Sequence, residues 1–145
     1  RRFETLVRGP KPVLIDDYAH HPKELDACIG SVRELYPGRT ITGVFQPHLF
    51  TRTRDLAADF AKSLSALDEL VLLEIYPARE EPLPGITAQW LLEQVPMDNK
   101  KVVARENVVA ELAGRELDVV VTMGAGDIDR AVSGIQRMMN DRITP

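Results

Sequence analysis

Apolar and polar positions along the chain form blocks that predict strands and helices in turn. Apolar runs of strand length lie at residues 3–7, 13–15, 40–45, 69–75, 102–104 and 118–123. One-sided helical patterns lie at residues 22–36, 56–67, 87–95, 108–113 and 128–139. Because strand and helix alternate, we predict a three-layer α/β domain with right-handed connections. It should contain a mostly parallel sheet of about six strands, with helices on both faces.

The first strand is an expected exception to the parallel arrangement. Only residues 8–12 separate it from the second strand, and they include two prolines and no helical pattern. A connection this short permits an antiparallel pair but not a parallel crossover. No segment has the composition of a linker, and a chain of 145 residues fits one domain with a sizeable core. We therefore interpret residues 1–145 as a single domain.

A polar cluster begins where the second strand ends. The apolar residues 13–15 are followed by Asp16-Asp17-Tyr18-Ala19-His20-His21, and Pro22 then suits the first turn of a helix. Ligands of open parallel sheets lie outside the carboxyl ends of the strands. The alternative is structural, with an aspartate that caps the helix and a ring that packs against the sheet. Five polar groups in six residues favour a functional site.

The third strand is followed by a second polar segment, residues 46–55, which we predict to be a loop. It carries His48, Arg52 and Arg54. A guanidinium group at this place suits a carboxylate or a phosphate, whereas the structural alternative is that both arginines are solvated or pair with nearby aspartates. Because neighbouring strand ends share one rim of such a sheet, we expect this segment to lie beside the first cluster.

The remaining motifs give weaker evidence for a binding site or suit a purely structural role. Gly124-Ala125-Gly126 is similar to the front of a dinucleotide fingerprint, but Asp129 stands where the third glycine belongs, so we expect these glycines to permit close helix packing. The sequence holds no GxxxxGK[ST] phosphate loop. A metal site is the weaker alternative for the histidines, because they are adjacent and no cysteine pair or HExxH motif accompanies them. Residues 79–81 are all charged and lie in a proline-rich segment, so we predict an exposed turn there.

Composition narrows the classes of function. A net charge of −4 and a pI near 5.4 argue against a nucleic-acid or membrane-surface role. No apolar run is long enough to span a bilayer, and no signal-peptide pattern is present. The single cysteine, Cys28, is expected in the core and fits a reducing cytoplasm. The start at Arg1-Arg2-Phe3 indicates a piece of a larger protein.

Five blocks in this order resemble the C-terminal domain of the Mur ligase family. The blocks are residues 17–24, 45–48, 51–55, 76–82 and 124–128. Together they span nearly the whole chain and are highly specific, although the glycine block alone is weak. The Asp-Tyr-Ala-His part is common to the whole superfamily. The Gln-Pro-His and Thr-Arg-Thr-Arg-Asp parts point to its alanine-adding branch.

This resemblance implies an ATP-dependent ligase of bacterial peptidoglycan synthesis in the cytoplasm. Such an enzyme forms an amide between the lactyl carboxylate of UDP-N-acetylmuramate and the amine of L-alanine through an acyl phosphate, while ATP becomes ADP and phosphate. The family has a UDP-sugar domain, a central domain with the P-loop and the Mg²⁺ ligands, and a third domain that closes over ATP and brings the amino acid. Only the third corresponds to this chain, and the resemblance implies a Rossmann-like fold for it. It is therefore expected to pack on the central ATPase domain and to be inactive alone.

The resemblance also implies roles for individual residues. Arg2 and Asp17 match residues near the nucleotide. The residues that match the surroundings of the L-alanine site are Tyr18, His20, His48 and Arg52. His20 or His48 is a candidate for removing a proton from the ammonium group of alanine, because imidazole titrates nearest the working pH.

One position departs from the pattern of the family. Many of its members have arginine directly after the Gln-Pro-His histidine, where this chain has Leu49. The sequence therefore leaves open whether Arg52 or Arg54 holds the alanine carboxylate. It also leaves open an alternative of another class, in which the chain is a free-standing module that binds a small anion without catalysis.

Overall fold

Six strands form the central sheet of this protein, whose structure is a computed structural model that describes residues 2–143. They are β1 (Glu4–Arg8), β2 (Val13–Asp17), β3 (Ile41–Phe45), β4 (Glu69–Leu72), β5 (Lys100–Val102) and β6 (Val119–Met123). The spatial order is β1-β2-β6-β3-β4-β5. Strand β1 pairs antiparallel with β2, and the other four neighbouring pairs are parallel. The predicted mixed sheet with one antiparallel edge strand is confirmed.

Helices cover both faces of the sheet. They are α1 (Pro22–Leu35), α2 (Phe50–Asp55), α3 (Ala57–Leu64), α4 (Ala88–Leu92), α5 (Val108–Ala113) and α6 (Asp129–Ile143), with a 3₁₀ turn at Arg105–Asn107 before α5. One core cluster joins apolar residues of α1, α3 and α4 to one face of the sheet, and a second joins α5 and α6 to the other face. The three-layer architecture predicted from the alternation of elements is therefore correct.

The central strands are buried on both faces, which explains why they appear in the sequence as unbroken apolar runs. In β2, Leu14 packs in one core cluster and Ile15 in the other, and both are fully buried. Successive side chains of a strand point to opposite faces, so each layer of helices receives every second residue. This arrangement leaves the carboxyl ends of the strands as the place where polar side chains reach solvent.

Two predicted elements differ from the structure. Residues 46–55 are not a loop throughout, since they contain the short helix α2, and a break at Leu56 separates it from α3. The edge strand β5 lies at Lys100–Val102 rather than at residues 102–104. An edge strand can carry charged residues, here Lys100 and Lys101, so apolar periodicity does not locate it. By contrast, the predicted cap Thr87 is confirmed, because its hydroxyl accepts the Trp90 N–H at 3.1 Å.

An ion pair closes the opposite end of the sheet. Arg39 donates from Nε to Asp118 Oδ1 at 2.8 Å and from Nη2 to the carbonyl oxygen of Pro10 at 2.6 Å. The second carboxylate oxygen of Asp118 accepts the Thr40 N–H at 3.2 Å. These bonds join the β1–β2 turn to the starts of β3 and β6, so the amino ends of the strands are tied together away from the candidate site.

Between residues 2 and 143, no helix combines the length and the apolar character needed to cross a membrane.

Candidate functional site

The loops after β2 and β3 meet at the carboxyl rim of the sheet. Strand β6 lies between these two strands, yet the ring centroids of His20 and His48 are only 5.8 Å apart. The expectation that the two polar segments lie side by side is therefore confirmed.

Four rings form a continuous row along this rim. Tyr18 contacts His20 with centroids 5.4 Å apart, His20 contacts His48, and His48 contacts Tyr76 at 5.4 Å. We call Tyr18, His20, His48 and Tyr76 the ring row. The sequence pattern predicts no separate role for Tyr76. The available signal was its position just after the apolar run of β4, where a third loop reaches the same rim.

Local hydrogen bonds fix the loop after β2. Asp17 Oδ1 accepts the Ala19 N–H at 2.9 Å, and Glu24 Oε1 accepts the N–H groups of His20 and His21 at 3.1 and 3.0 Å. Burial alone would raise the pKa of Glu24, but these two N–H groups, with smaller contributions from the histidine charges, bring it below the ordinary value. The carboxylate at the start of α1 is thus that of Glu24, and the alternative of an aspartate cap is wrong.

Asp16 does not belong to the exposed part of the cluster. It is only 2% exposed and accepts the hydroxyl hydrogen of Thr122 at 2.7 Å within the sheet. Tyr18, in contrast, is 46% exposed. The end of β2 therefore separates Asp16 from Tyr18. The carboxylate of Asp16 faces the interior, whereas Tyr18 reaches the rim.

The segment after β3 turns sharply into α2. Leu49 has φ +75°, a value that favours glycine, and it precedes the first helical residue. Its N–H donates to the carbonyl oxygen of Tyr76 at 2.8 Å, and its own carbonyl oxygen accepts the Thr53 hydroxyl at 2.7 Å. The backbone of Leu49, where this chain departs from the family pattern, is therefore held by Tyr76 on one side and by Thr53 on the other. This turn orients His48 before it and Arg52 after it.

His48 and Arg52 each bury a polar atom without a partner. Nδ1 of His48 and Nη1 of Arg52 are both buried, and neither has a hydrogen-bond partner among residues 2–143. An unpaired buried donor or acceptor costs free energy, so such atoms suggest that something else binds there. The pKa of His48 lies below its usual range, first because of burial and then because of the positive charge of Arg52 and the nearby His20. The imidazole is therefore biased toward its neutral form.

The two arginines of this segment differ in their surroundings. Arg54 is exposed and pairs with the adjacent Asp55 at 2.7 Å, which raises the pKa of Arg54 and lowers that of Asp55. Arg52 lies half-buried at the rim, with the unpartnered Nη1. The structure thus shows different surroundings for two residues that the sequence could not separate.

Arg2 and Asp17 line one cavity of about 310 Å³ beside this rim. Phe3, Tyr18 and Cys28 also line it, so the cavity combines an aromatic wall, a guanidinium group and a carboxylate. Burial, followed by the charge of Asp17, raises the pKa of the Cys28 thiol, so this cysteine stays protonated, in agreement with the expected inert core position. The two residues that the resemblance assigns to the nucleotide are therefore close in space.

The glycine loop after β6 packs against the same rim. Gln46 is 4% exposed, and its side chain donates to Asp127 Oδ1 at 2.7 Å and accepts the Ile128 N–H at 2.8 Å. A Cβ atom on Gly126 would lie 2.6 Å from both Gln46 Oε1 and the ring of Tyr76. The glycine is required for close packing, although its close neighbours are the side chains of two other rim segments rather than the sheet that the sequence pattern predicted.

The proline-rich loop is exposed only in part, in contrast to the prediction for residues 79–81. Arg79 and Glu81 are exposed, as predicted for a charged turn, but Glu80 is half-buried. Its carboxylate accepts the Thr51 N–H at 3.1 Å and also the Thr51 hydroxyl hydrogen. A contact between residues 29 positions apart leaves no periodic signal in the sequence.

The part of the chain that the structure describes contains no group of three or more histidine, cysteine, aspartate or glutamate side chains placed to hold a metal ion. The rim offers cations, rings and single carboxylates, a set that suits an anionic organic ligand.

Comparison with known proteins relates this chain to a group of ligases. The family described as "Mur ligase, glutamate ligase domain" matches residues 1–126. The UDP-N-acetylmuramate–L-alanine ligase of Flavobacterium johnsoniae is 53% identical over 143 residues, which are 99% of this chain and 32% of the relative. The ligase of the same name from Cytophaga hutchinsonii is 52% identical over 142 residues, or 98% of this chain and 30% of the relative.

A solved structure extends the similarity to the fold. The UDP-N-acetylmuramate–alanine ligase of Thermotoga maritima superposes with a TM-score of 0.73 at 25% identity, over 99% of this chain and 30% of that chain. This chain thus spans about a third of the length of the curated relatives it matches. The similarity covers one domain-sized segment of longer proteins.

Proposed function

This chain belongs to the Mur ligase family, and from that premise we propose that it supplies the amino-acid side of an ATP-dependent ligase that joins L-alanine to UDP-N-acetylmuramate. The observation that carries the proposal is the pair of buried, unpartnered atoms, His48 Nδ1 and Arg52 Nη1, at the carboxyl rim. A small zwitterion with a carboxylate would satisfy the guanidinium donor and bring an amine beside the rings.

Arg52 is the proposed clamp for the carboxylate of alanine. A planar guanidinium can donate two parallel hydrogen bonds to a carboxylate, which fixes both the position and the direction of the bound molecule. Arg54 does not suit this role, since it is exposed and paired with Asp55. With its carboxylate held, alanine projects its amine away from the clamp, and we place that amine next to the ring row.

His48 and His20 are the proposed proton acceptors. Alanine enters with an ammonium group, which must lose a proton before its nitrogen lone pair can attack. The lowered pKa of His48 keeps the imidazole neutral near pH 7, so it is able to accept a hydrogen bond or a proton. His20 Nδ1 lies 3.1 Å from the carbonyl oxygen of Tyr18 and 3.4 Å from Glu24 Oε1, which orients its ring beside that of His48.

The proposed reaction has two steps. The lactyl carboxylate attacks the γ-phosphorus of ATP, and ADP leaves. The amine of alanine then forms a bond to the carbonyl carbon of the acyl phosphate, and phosphate leaves with the electrons of the broken C–O bond. Holding the amine against the acyl phosphate converts a bimolecular encounter into an intramolecular one, which can lower the barrier by several kcal/mol, on the order of 7–11 in favourable cases.

Arg2 and Asp17 are proposed for the nucleotide side. Arg2 can donate to phosphate oxygens, and Asp17 can accept hydrogen bonds from ribose hydroxyls, which suits the mixed character of the cavity they line. The triphosphate and Mg²⁺ require a phosphate loop and metal ligands, which we assign to a central ATPase domain against which this rim packs. A bacterial, cytoplasmic location belongs to the same proposal.

A chimera tests this function. The matching third of the Flavobacterium johnsoniae relative is replaced by this chain, and phosphate release is measured with ATP, UDP-N-acetylmuramate and L-alanine. We expect release that depends on all three substrates, whereas the isolated chain should release none. A chimera that folds and binds UDP-N-acetylmuramate but shows no alanine-dependent release would contradict the proposal. If the isolated chain nevertheless binds L-alanine, the free-standing binding module becomes the better account.

A further inference from the structure

Helix α2 carries Arg52, and its amino end lacks a cap of its own. The residue before the helix is Leu49, whose side chain offers no acceptor and whose φ is +75°. The helix is only six residues long. Short helices with uncapped N–H groups are marginal, because the first turn has no internal acceptors. Something outside the helix must hold it in register if Arg52 is to stay at the rim.

Glu80 supplies the missing acceptor from another loop. Its Oε1 accepts the Thr51 N–H at 3.1 Å, and its second carboxylate oxygen accepts the Thr51 hydroxyl hydrogen. A negative charge at the amino end of a helix is favoured by the aligned peptide dipoles. The pKa of Glu80 is lowered, first because of the hydrogen bond from the Thr51 hydroxyl. The carboxylate therefore stays charged in the range where the ligase would work.

The same loop also touches the other side of the turn. Tyr76 accepts the Leu49 N–H and donates its own N–H to the carbonyl oxygen of Pro47, both at 2.8 Å. His48, which lies between Pro47 and Leu49, thus forms a parallel β-bridge with Tyr76. Residues 76–80 thus hold the segment 47–51 at both ends: backbone bonds fix His48, and Glu80 fixes the start of α2.

From this arrangement we propose that Glu80 is a positioning residue that caps α2 from a distance of 29 residues and thereby holds Arg52 where it binds the carboxylate of L-alanine. Glu80 does not touch the substrate in this account. The inference rests on the proposed function only where it names alanine, since the cap itself is a property of this chain alone. Its consequence is a specific effect on the affinity for the amino acid, with ATP binding spared.

The chain offers a matched control in the adjacent carboxylate. Glu81 is exposed on the same loop, so Glu80→Gln and Glu81→Gln remove the same charge one residue apart. In the chimera, Glu80→Gln should raise the KM for L-alanine about tenfold with little change in the KM for ATP, and Glu81→Gln should change neither. Thr51→Val, which removes the hydroxyl but keeps the N–H, should give a smaller rise in the same parameter.

Three results would overturn the inference. The two glutamine variants could behave alike, Glu80→Gln could raise both KM values equally, or it could lower kcat alone. The first result would show that Glu80 does not cap α2. The second would indicate that the whole rim is loosened, and the third would mean that Glu80 takes part in the chemical step.

A second measurement separates this inference from the proposed function. In the 145-residue chain, the amide resonance of Thr51 should shift upfield in Glu80→Gln and stay in place in Glu81→Gln, whether or not the chimera ligates alanine. An unchanged Thr51 resonance in Glu80→Gln would refute the cap. A wild-type chimera that fails to use alanine, together with the expected Thr51 shift, would count against the function and leave the cap supported.

Discussion

The pKa of His48 results from several influences that do not all act in the same direction. Burial, the positive charge of Arg52 and the neighbouring His20 lower it, and the negative charge of Glu80 opposes them with a smaller effect. Burial disfavours the charged ring through loss of solvation, and the two positive neighbours disfavour it through repulsion, so the folded protein favours the neutral ring. In the proposed site, the guanidinium group of Arg52 holds the carboxylate of the amino acid. The neutral imidazole of His48 can then accept a proton from the amine of the same molecule.

A pH titration by NMR measures this effect directly. We expect the ring of His48 to titrate below the ordinary value of about 6.5. In Arg52→Gln the pKa should rise toward that value, because the positive charge of Arg52 no longer lowers it. Arg54→Gln is the matched control, since Arg54 is exposed and its charge is already paired with Asp55, and it should leave the titration almost unchanged. Equal shifts in the two variants would mean that His48 does not sense Arg52 in particular.

Two glycines allow a paired test of close packing. Gly126→Ala places a methyl group 2.6 Å from Gln46 Oε1 and the ring of Tyr76 and should lower the free energy of unfolding by about 1–3 kcal/mol. Gly30→Ala lies in α1, where a Cβ atom meets nothing within 4 Å, and should raise it by about 0.5–1 kcal/mol through helix propensity. Urea denaturation of both variants checks the signs. A stable Gly126→Ala variant would show that the rim is less tightly packed than described.

Among the elements, α2 shows best where sequence patterns stop being informative. Periodicity correctly predicted the central strands and α1, because burial on fixed faces repeats every two or 3.6 residues. Helix α2 buries only Thr53 and owes its position to Glu80 and to the turn at Leu49, neither of which leaves a periodic trace. Local sequence could not have predicted such long-range support.

The ion pair at the opposite end of the sheet should make the fold sensitive to acid. The hydrogen bond from Arg39 lowers the pKa of Asp118 below its value in the unfolded chain, so the unfolded state binds more protons between those two values. The free energy of unfolding therefore falls as the pH drops through this window, and the contribution is fully present above about pH 4.

The variant Asp118→Asn tests this dependence. At neutral pH it should lower the free energy of unfolding by about 1–3 kcal/mol, since it weakens a charge-assisted network. The difference from the wild type should shrink as the pH falls below about 4, because acid neutralises the same group in the wild type. Asp55→Asn, which breaks an exposed pair between adjacent residues, should cost far less at any pH. A difference for Asp118→Asn that does not vary with pH would contradict this assignment.

Across the whole molecule, the sheet brings together residues that are far apart in the sequence. The polar segments after β2 and β3 were recognisable as candidates because each follows a buried strand. The resemblance to the Mur ligases added specific roles for Tyr18, His20, His48 and Arg52. The order of the strands required the structure, since it depends on which backbones pair across the sheet. The different burial and pairing of Arg52 and Arg54 also became visible only in the structure.

The proposed ligase also explains why the rim has unpartnered atoms. A domain that closes over a substrate bound elsewhere must keep its binding groups ready without satisfying them internally. The buried atoms of His48 and Arg52 fit that requirement, at a cost in stability of about 1–3 kcal/mol for each atom left unpaired. The surrounding core, which is continuous on both faces of the sheet, can compensate for such a cost.

The most direct test of this account compares Arg52→Ala with Arg54→Ala in the chimera and follows phosphate release against L-alanine concentration. Arg52→Ala should raise the KM for L-alanine about 100-fold, as expected for the loss of a bidentate charge-assisted interaction worth about 3 kcal/mol. Arg54→Ala should stay within about twofold of the wild type, because exposed ion pairs contribute little. If Arg54→Ala instead raises this KM while Arg52→Ala leaves it unchanged, the alanine site is not where the rim of this sheet places it.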